Sequence, residues 1–429
     1  MNVKRRKYKL KKKPAFIAGL ILILLIIGVV AACGQLQKNE GSSADGEQNA
    51  KSKSAAEEVK ASEPIKLSID CIGDIMMHTP QLGGMYGADG NIDLSTYFAY
   101  TQPIISGADL SLANMETTFA GEPFGGYPNF SSPDELAAFI KGAGIDVGIT
   151  SNNHMLDRGV AGARRTVEVA KAAGLEVVGS RLDPAEKNYI VLDVNGVKVG
   201  VVSYTYETIR VDGQRTMNGS FMSEEAKSMI NSYNPDEAAD DAEIVKSIEG
   251  AKADGAEIVV CYFHWGNEYE RQANDTQRRT AQLAVDNGAD LIFASHPHVL
   301  QPMELLLHSD GASDNAASHA VPVFWSMGNY ISNQRQETLE NHYTEQGIIA
   351  QVNLTYEPAG SKISEIEAVY TPLWVDKYDD GRKIFAVIPL IDGFQSNPSL
   401  QISGNAGRAE NALAEIRELL GENLQWSAK

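Results

Sequence analysis

Cysteine is scarce in this chain: its 429 residues contain three, Cys33, Cys71 and Cys261. Cys71 and Cys261 fall within apolar runs that read as core strands. We therefore expect two buried thiols, because unpaired cysteine is among the most buried residue types, with a disulfide between them as the alternative.

Positive charge is also scarce, with 37 Lys and Arg against 56 Asp and Glu and a formal net charge of −19 at pH 7. Eight of the cations lie in residues 4–13, so the chain beyond residue 33 carries −27. Nucleic-acid binding depends on patches of Lys and Arg, so we exclude nucleic acid as a partner. The same excess of acid repels any large polyanion that does not reach a cationic site.

The chain has one long unbroken apolar run, residues 15–32, directly after the basic block of residues 4–13. This order is typical of an export signal or a membrane anchor. At about 1.5 Å per residue the run spans roughly 27 Å, which is just enough to cross the hydrocarbon of a bilayer. Because basic flanks stay in the cytoplasm, we expect the rest of the protein at the outer face of the cell membrane.

The apolar run ends in Val-Ala-Ala-Cys-Gly, residues 30–34, which resembles the lipobox of bacterial lipoproteins. That resemblance implies a lipid on Cys33, and an uncleaved signal anchor is the alternative. Residues 34–64 are polar and predict a disordered linker, since they cannot bury enough apolar surface to fold. The predicted organisation is a signal peptide or anchor at 1–33, the linker at 34–64 and one folded domain at 65–429.

From residue 65 to about residue 300, apolar strands alternate with helical patterns, which predicts an α/β layered domain. The predicted strands are 65–73, 108–114, 145–150, 175–180, 198–204, 256–263 and 289–295. The predicted helices are 132–144, 159–174, 240–255 and 275–288. Beyond residue 300 the pattern predicts strands without helices between them, then one amphipathic helix: 321–331, 346–357, 361–375, 383–391 and helix 406–422. The late strands are expected to form a second sheet, packed on the first or continuing it.

Five of the predicted strands end in carboxylate, amide or imidazole groups. In chain order these are Asp74 and His78; Asn114 and Glu116; Asn152, Asn153, His154 and Asp157; His264; and His296 and His298. Five of the eight histidines lie at these strand ends. If the strands are neighbours in one sheet, their ends meet in one place, where α/β proteins build sites. These ligand types suit Zn, Mn or Fe, and cysteine, typical of structural zinc sites, is absent.

Each position also has an ordinary structural explanation when it is taken alone. Asp74 follows a glycine and suits a turn or a helix cap. The pair Asn152-Asn153 suits a left-handed turn, and His264 suits a stacked core histidine. The segment Ser326–Tyr330 either lines the site through Gly328 or forms a tight hairpin. The joint pattern, and not any single residue, predicts the metal site.

Six motifs in order carry a family resemblance: Gly-Asp, Asn-x-Glu, Asn-Asn-His-x-x-Asp-x-Gly, His-Trp-Gly, His-Pro-His-Val-Leu-Gln-Pro-x-Glu and Ser-x-Gly-Asn-Tyr. Over roughly residues 65–332 the chain resembles the CapA family, capsule-synthesis proteins linked to poly-γ-glutamate within the calcineurin-like metallophosphoesterase superfamily. The resemblance implies a four-layer αββα sandwich with a metal site at the strand ends. It implies these metal ligands: Asp74, Glu116, Asn153, His264, His296 and His298.

The resemblance also implies a catalytic role for His154, whose imidazole would stabilise charge on the substrate, with Asp157 orienting it. The superfamily's first motif is usually Asp-x-His, but Met76 stands at the histidine position and His78 follows two residues later. His78 is therefore a third catalytic candidate. Asn-x-Glu replaces the usual Gly-Asp of the second motif. Because the histidine of the first motif is missing, one bound ion or two are both left open.

Three functions fit these residues. The first is capsule or poly-γ-glutamate synthesis, export or attachment, with an anionic surface polymer as substrate and other capsule-synthesis membrane proteins as partners. The second is an extracellular metal-dependent phosphoesterase, and the third is a non-catalytic surface component with a degenerate metal site. Bound divalent ions activate water and polarise either an amide or a phosphoester, so the ligands do not distinguish the first two.

Overall fold

The computed structural model describes residues 63–309 and 319–428. The predicted signal peptide or anchor, the lipidation site Cys33 and nearly all of the predicted linker lie outside these residues. Within the described ranges, none of the helices combines the length and apolar character needed to cross a membrane.

Strands dominate the described part of the chain. In order they are β1 (Ile65–Ile75), β2 (Leu110–Asn114), β3 (Val147–Ile149), β4 (Glu176–Val178), β5 (Tyr189–Val194), β6 (Val197–Tyr206), β7 (Thr208–Val211), β8 (Gln214–Met217), β9 (Ser220–Phe221), β10 (Ser232–Tyr233), β11 (Ile258–His264), β12 (Leu291–Ser295), β13 (Met303–Leu306), β14 (Val321–Phe324), β15 (Asn329–Ile331), β16 (Gln346–Glu357), β17 (Lys362–Asp379), β18 (Lys383–Pro389) and β19 (Leu424–Ser427). Their lengths range from two residues to eighteen, and the longest, β17, lies between β18 and β16 in the largest sheet.

Most of the helices connect the strands of the first two thirds of the domain, and two more follow the last long strand near the C-terminal end of the domain. They are α1 (Thr79–Gly83), α2 (Ser95–Phe98), α3 (Gln102–Ile105), α4 (Glu135–Gly142), α5 (Gly159–Ala172), α6 (Glu224–Met229), α7 (Ala238–Ala253), α8 (Asp275–Asp286), α9 (Gln336–Leu339), α10 (Pro398–Ser403) and α11 (Ala406–Leu420). Short 3-10 helices cover His342–Glu345, Pro358–Gly360 and Phe394–Ser396. A glycine with positive φ follows each of the four predicted helices between strands, as expected for a helix C-terminus: Gly144, Gly174, Gly255 and Gly288.

The strands form two large sheets and one small one. The first has the order β18-β17-β16-β1-β2-β3-β4, with β15 added beside β1 and β19 beside β17. The second has the order β10-β6-β11-β12-β14-β13, with β5 added beside β6. A small third sheet contains β7, β8 and β9. Strands β1, β2 and β3 are mutually parallel, as are β6, β11 and β12, so each large sheet collects strand C-termini along one edge.

The main hydrophobic core lies between the two large sheets. It joins Ile69 and Leu112 of the first sheet to Val201, Val260 and Phe293 of the second, all fully buried or nearly so. These residues occupy alternate positions along their strands, as a period of two requires for one buried face. The strands' other faces are therefore left for the helices.

Helices cover the outer face of each sheet. On the first sheet a second cluster packs Ala113 against Ile140 of α4 and Val167 of α5. On the second sheet a third cluster packs Val259 against Ile248 of α7 and Ala284 of α8. The order of layers is helix, sheet, sheet, helix, and the domain is a mixed α/β fold.

One prediction about the sheets is wrong, and one condition considered from the sequence is not met. The strand predicted at 321–331 is two strands, β14 in the second sheet and β15 in the first, because the chain crosses between the sheets through Gly328 at a φ of +65°. The five strands that end in polar groups are not neighbours in one sheet, since β1, β2 and β3 belong to the first and β11 and β12 to the second.

Two alternatives that the sequence left open are resolved. The strands β16, β17 and β18 continue the first sheet instead of forming a separate one. Cys71 and Cys261 are buried free thiols, as expected, and they do not form a disulfide. Burial raises the pKa of both thiols, so neither is poised to react at neutral pH.

Gly73 packs directly against the backbone of Gly328, so replacing it by alanine should destabilise the folded protein. A Cβ at residue 73 would lie 2.0 Å from the carbonyl oxygen of Gly328, which accepts a hydrogen bond of 3.1 Å from the Asp74 backbone N–H. We expect Gly73→Ala to lower the free energy of unfolding by about 1–3 kcal/mol, measured by urea titration. Gly83→Ala is the control, since a Cβ there meets nothing within 4 Å. Equal stability of the two variants would contradict this packing.

Candidate metal centre

Asp74 enters the site from a break in β1. The pairing of β1 with β2 shifts register between Ile72 and Asp74, which turns the carboxylate toward the strand ends. Asp74 Oδ1 accepts a hydrogen bond of 2.7 Å from Asn114 Nδ2, and Asp74 Oδ2 lies 3.1 Å from His298 Nδ1. The carboxylate is fully buried and is held from both sides.

Glu116 lies at the centre of the site, two residues beyond the end of β2. It is fully buried, and no N–H or hydroxyl of the described residues donates to either of its carboxylate oxygens. Three imidazole nitrogens surround its Oε1 at 3.6–3.9 Å, those of His264, His298 and His154. Burial, with added repulsion from Asp74, raises the pKa of Glu116 well above its usual range. A buried carboxyl without donors is costly, and a cation between these groups would remove that cost.

Three of the candidate ligands are histidines that come from the second sheet. His264 is the last residue of β11, and His296 and His298 follow β12 with φ values of +107° and +56°. These left-handed conformations are rare for a residue with a side chain, and such strain is found at functional sites. Burial lowers the pKa of both His264 and His296 well below the usual value, so both rings are neutral at pH 7 and available as ligands.

The candidate ligands form two groups that share one residue. In each group, one ligand atom per residue lies within 4.8 Å of the others: Glu116, His264 and His296 in one, and Asp74, Glu116 and His298 in the other. Glu116 contributes to both. His296 Nδ1 is buried without a hydrogen-bond partner among the described residues. The unpartnered atoms and the carboxylate and imidazole donors fit divalent metal ions.

The Asn-Asn-His segment after β3 closes the site from the first sheet. Asn153 Oδ1 lies 2.9 Å from His264 Nε2, beside the first ligand group. Asn152 Nδ2 donates to Asn114 Oδ1 at 3.2 Å and to the Met115 carbonyl at 2.9 Å. The alternative of a left-handed turn at these asparagines is wrong, because neither is among the described residues with positive φ.

His154 is held beside the ligand groups. Its Nδ1 lies 2.8 Å from Asp157 Oδ2, and its Nε2 lies 3.9 Å from Glu116 Oε1. The same Asp157 oxygen accepts a hydrogen bond of 2.7 Å from the backbone N–H of Phe130, whose ring packs edge-on against His154 at 4.7 Å. The imidazole is therefore fixed in orientation with its Nε2 toward the site.

His78 stands apart from the two ligand groups. Its ring lies 5.1 Å from Phe130, on which His154 also packs, and its Nδ1 accepts a hydrogen bond of 3.3 Å from the Asn333 backbone N–H. Burial, together with His298, lowers the pKa of His78 to about 4. His78 is thus a neutral imidazole one layer outside the site, and it does not supply the ligand missing from the first motif.

Two asparagines also lie beside the site: Asn329, in the segment Ser326–Tyr330 that was expected either to line the site or to form a hairpin, and Asn218, which sequence reasoning missed. Asn329, the first residue of β15, places Oδ1 3.1 Å from His298 Nδ1, and its amide donates to the Thr344 carbonyl at 3.0 Å. Asn218 lies in the tight turn between β8 and β9 and places Nδ2 3.4 Å from His154 Nδ1. Asn218-Gly219 is a strong hairpin signal, but nothing in that pair indicates that the hairpin reaches His154.

The part of the sequence that carries the site matches a known protein family. The model of the bacterial capsule synthesis protein family PGA_cap matches residues 68–334, more than half of the chain and every candidate ligand. The capsule biosynthesis protein CapA of Bacillus anthracis is 29% identical over 336 residues, covering 76% of this chain and 70% of that protein. The PGA biosynthesis protein CapA of Bacillus subtilis strain 168 is 29% identical over 281 residues, covering 62% and 64%.

A solved structure described as a novel phosphatase from Mycoplasma pneumoniae aligns with 72% of this chain and 95% of its own, at 14% identity and a TM-score of 0.39. Similarity at that level bears on neither the site nor the chemistry. The match to the family model at residues 68–334 does bear on the site, because the candidate ligands and the residues that hold them all lie inside it. The chain belongs to the bacterial capsule synthesis protein family, the family of the CapA proteins.

Proposed function

We propose that this protein acts in capsule or poly-γ-glutamate synthesis, export or attachment, through a hydrolase-type site that uses divalent metal on the polymer or its linkage. The observation that carries the proposal is the position of Glu116, a fully buried carboxylate without a donor, shared by two groups of metal-ligating side chains. The family membership supports the capsule role. The names of the Bacillus relatives support poly-γ-glutamate as the polymer.

The donor set favours two ions of Mn, Zn or Fe. Asp74, Glu116 and His298 would hold one, and Glu116, His264 and His296, with Asn153 beside them, the other. When bound, such ions supply Lewis acidity and lower the pKa of water to about 7. The absence of a histidine at position 76 does not argue against the pair, because His298 completes the group around Asp74. We also propose that the αββα sandwich is of the metallophosphoesterase type.

His154 would supply the proton. Because Asp157 binds its Nδ1, the proton to be transferred resides on Nε2, the nitrogen that faces Glu116. Nε2 donates to the leaving group as the bond to it breaks, and Asp157 stabilises the ring orientation and its positive form. His78 would have an indirect role: held by Asn333, it packs against the Phe130 ring, and that ring packs against His154.

We further propose that the domain is tethered at the outer face of the cell membrane by a lipid on Cys33 or by the apolar run of residues 15–32. The basic block and lipobox-like sequence support this location. Membrane partners would be other capsule-synthesis proteins. Recovery of the full-length protein in the membrane fraction tests the tether, and unchanged lipid labelling in Cys33→Ser would show that the cysteine carries no lipid.

Turnover by residues 63–429 loaded with metal tests the hydrolase function. We expect the protein to shorten or transfer a γ-linked glutamate polymer, measured by size-exclusion chromatography, and His296→Ala to reduce this by at least about a hundredfold, since it removes a ligand. Turnover of a generic phosphodiester instead, also lost in His296→Ala, would favour the phosphoesterase. Bound metal with neither activity would favour a non-catalytic surface component.

A further inference from the structure

A small cavity with four cationic side chains lies where β17 and β18 meet α9 and α11. It has a volume of about 190 Å³ and is lined by Arg335, Glu337, Lys377, Tyr378, Asp379, Lys383 and Arg408. Both arginines also pair with Glu345, so four cations meet three carboxylates. One positive charge is left over, and it attracts anions on the otherwise repulsive surface of a chain whose formal net charge is −19.

Lys377 is the cation in this cavity whose charge is not already matched. The other three form ion pairs: Lys383 with Asp379 at 2.6 Å, Arg408 with Glu337 at 2.7 Å and Arg335 with Glu345 at 3.2 Å. Across residues 63–309 and 319–428, Lys377 forms no ion pair, and its Nζ donates to the amide oxygen of Asn333 at 2.6 Å. The half-buried ammonium also lies 5.2 Å from the Phe385 ring centre.

A short series of contacts connects Lys377 to the metal centre. Asn333 accepts from Lys377 through its side chain and donates through its backbone N–H to His78 Nδ1, at 3.3 Å. His78 packs on Phe130, and Phe130 packs on His154. These contacts link Lys377 to His154, the imidazole held beside the ligand groups.

We infer that Lys377 binds a carboxylate of the anionic polymer a short distance along the chain from the linkage held at the metal centre. The inference rests on the proposed function and specifies how the substrate is held. Each residue of a γ-linked glutamate chain carries one free carboxylate, which matches one uncompensated ammonium in charge and hydrogen bonding. The contact would also offset the repulsion between this acidic protein and a polyanion.

Binding of a γ-linked glutamate pentamer to the metal-loaded protein, measured by calorimetry, tests this subsite. We expect Lys377→Met to weaken binding about tenfold, the effect of losing one charged hydrogen bond, and to reduce the dependence of Kd on salt. Lys377→Arg should restore most of the affinity. Lys383→Met is the matched control from the same cavity, and it should change Kd less than about twofold because that charge is already paired.

The outcomes separate the subsite from the proposed function. Pentamer binding that depends on Lys377, in a protein that turns over no polymer, would support the subsite and count against the hydrolase. Polymer turnover with the same KM in wild type and Lys377→Met would overturn the subsite and leave the hydrolase intact. Equal losses in Lys377→Met and Lys383→Met, or no binding of the pentamer by wild type, would also overturn it.

Discussion

Replacing Glu116 by glutamine is expected to remove both metal ions together and to lower turnover by at least about 10³-fold. Glu116 belongs to both ligand groups, so one substitution weakens two sites. Glutamine keeps the size of the side chain but removes the negative charge that attracts the cations. A loss of several kcal/mol of transition-state stabilisation corresponds to this change in rate.

Metal content per chain after gel filtration measures this effect, with His264→Ala as the comparison. His264 belongs to one group, so its loss should release one ion and retain part of the other. Equal metal loss in the two variants would contradict a shared ligand.

Stability provides an independent measurement of the same variant. Without metal, Glu116→Gln should be at least as resistant to heat as wild type, because it removes a buried carboxyl that has no donor and lies near Asp74. With metal, wild type should gain the larger increase in Tm, because ligand binding stabilises the folded state. A chelator should therefore lower the Tm of wild type and leave that of Glu116→Gln nearly unchanged.

The second large effect is expected at His154. Its replacement by alanine should lower kcat by about 10²–10⁴-fold with bound metal retained, which is the range for loss of a general acid. His154 is outside both ligand groups, so metal content separates this loss from that at Glu116.

Asp157→Asn tests the positioning role by a different readout. The asparagine cannot stabilise a positive imidazole through Nδ1, so we expect kcat to fall by about 10- to 100-fold and the limb of the pH–rate profile assigned to the acid to shift to lower pH. KM should change little. A variant that is less stable but keeps the pH–rate profile of wild type would instead show that the hydrogen bonds of Asp157 to Phe130 and His154 are structural.

The sequence was most informative where a strand ran into a polar group. Asp74, Glu116 and His264 were found as candidates because an apolar run stops and a metal-ligating side chain follows. The structure brings these residues together with His296 and His298. The convergence does not come from adjacent strands in one sheet, the condition considered from the sequence, because the ligands converge from two stacked sheets.

His78 shows the limit of reasoning from motif spacing. Its place two residues beyond the missing histidine made it a catalytic candidate, yet the chain turns into α1 directly after it and places the ring behind Phe130. Lys377 shows the opposite limit. It lies in a strand of ordinary composition, and its importance comes from neighbours that are distant in the chain.

By itself, the sequence determined most of the longer strands and helices, which faces they bury and which strand ends carry ligand-type side chains. These properties depend on local periodicity and on residues next to one another in the chain. The tertiary structure alone decided which sheet each strand joins, that Asn218 reaches His154, and that Lys377 forms no ion pair with the described residues. Those relations depend on the packing of segments that are distant in the chain, which leaves no periodic trace in the sequence.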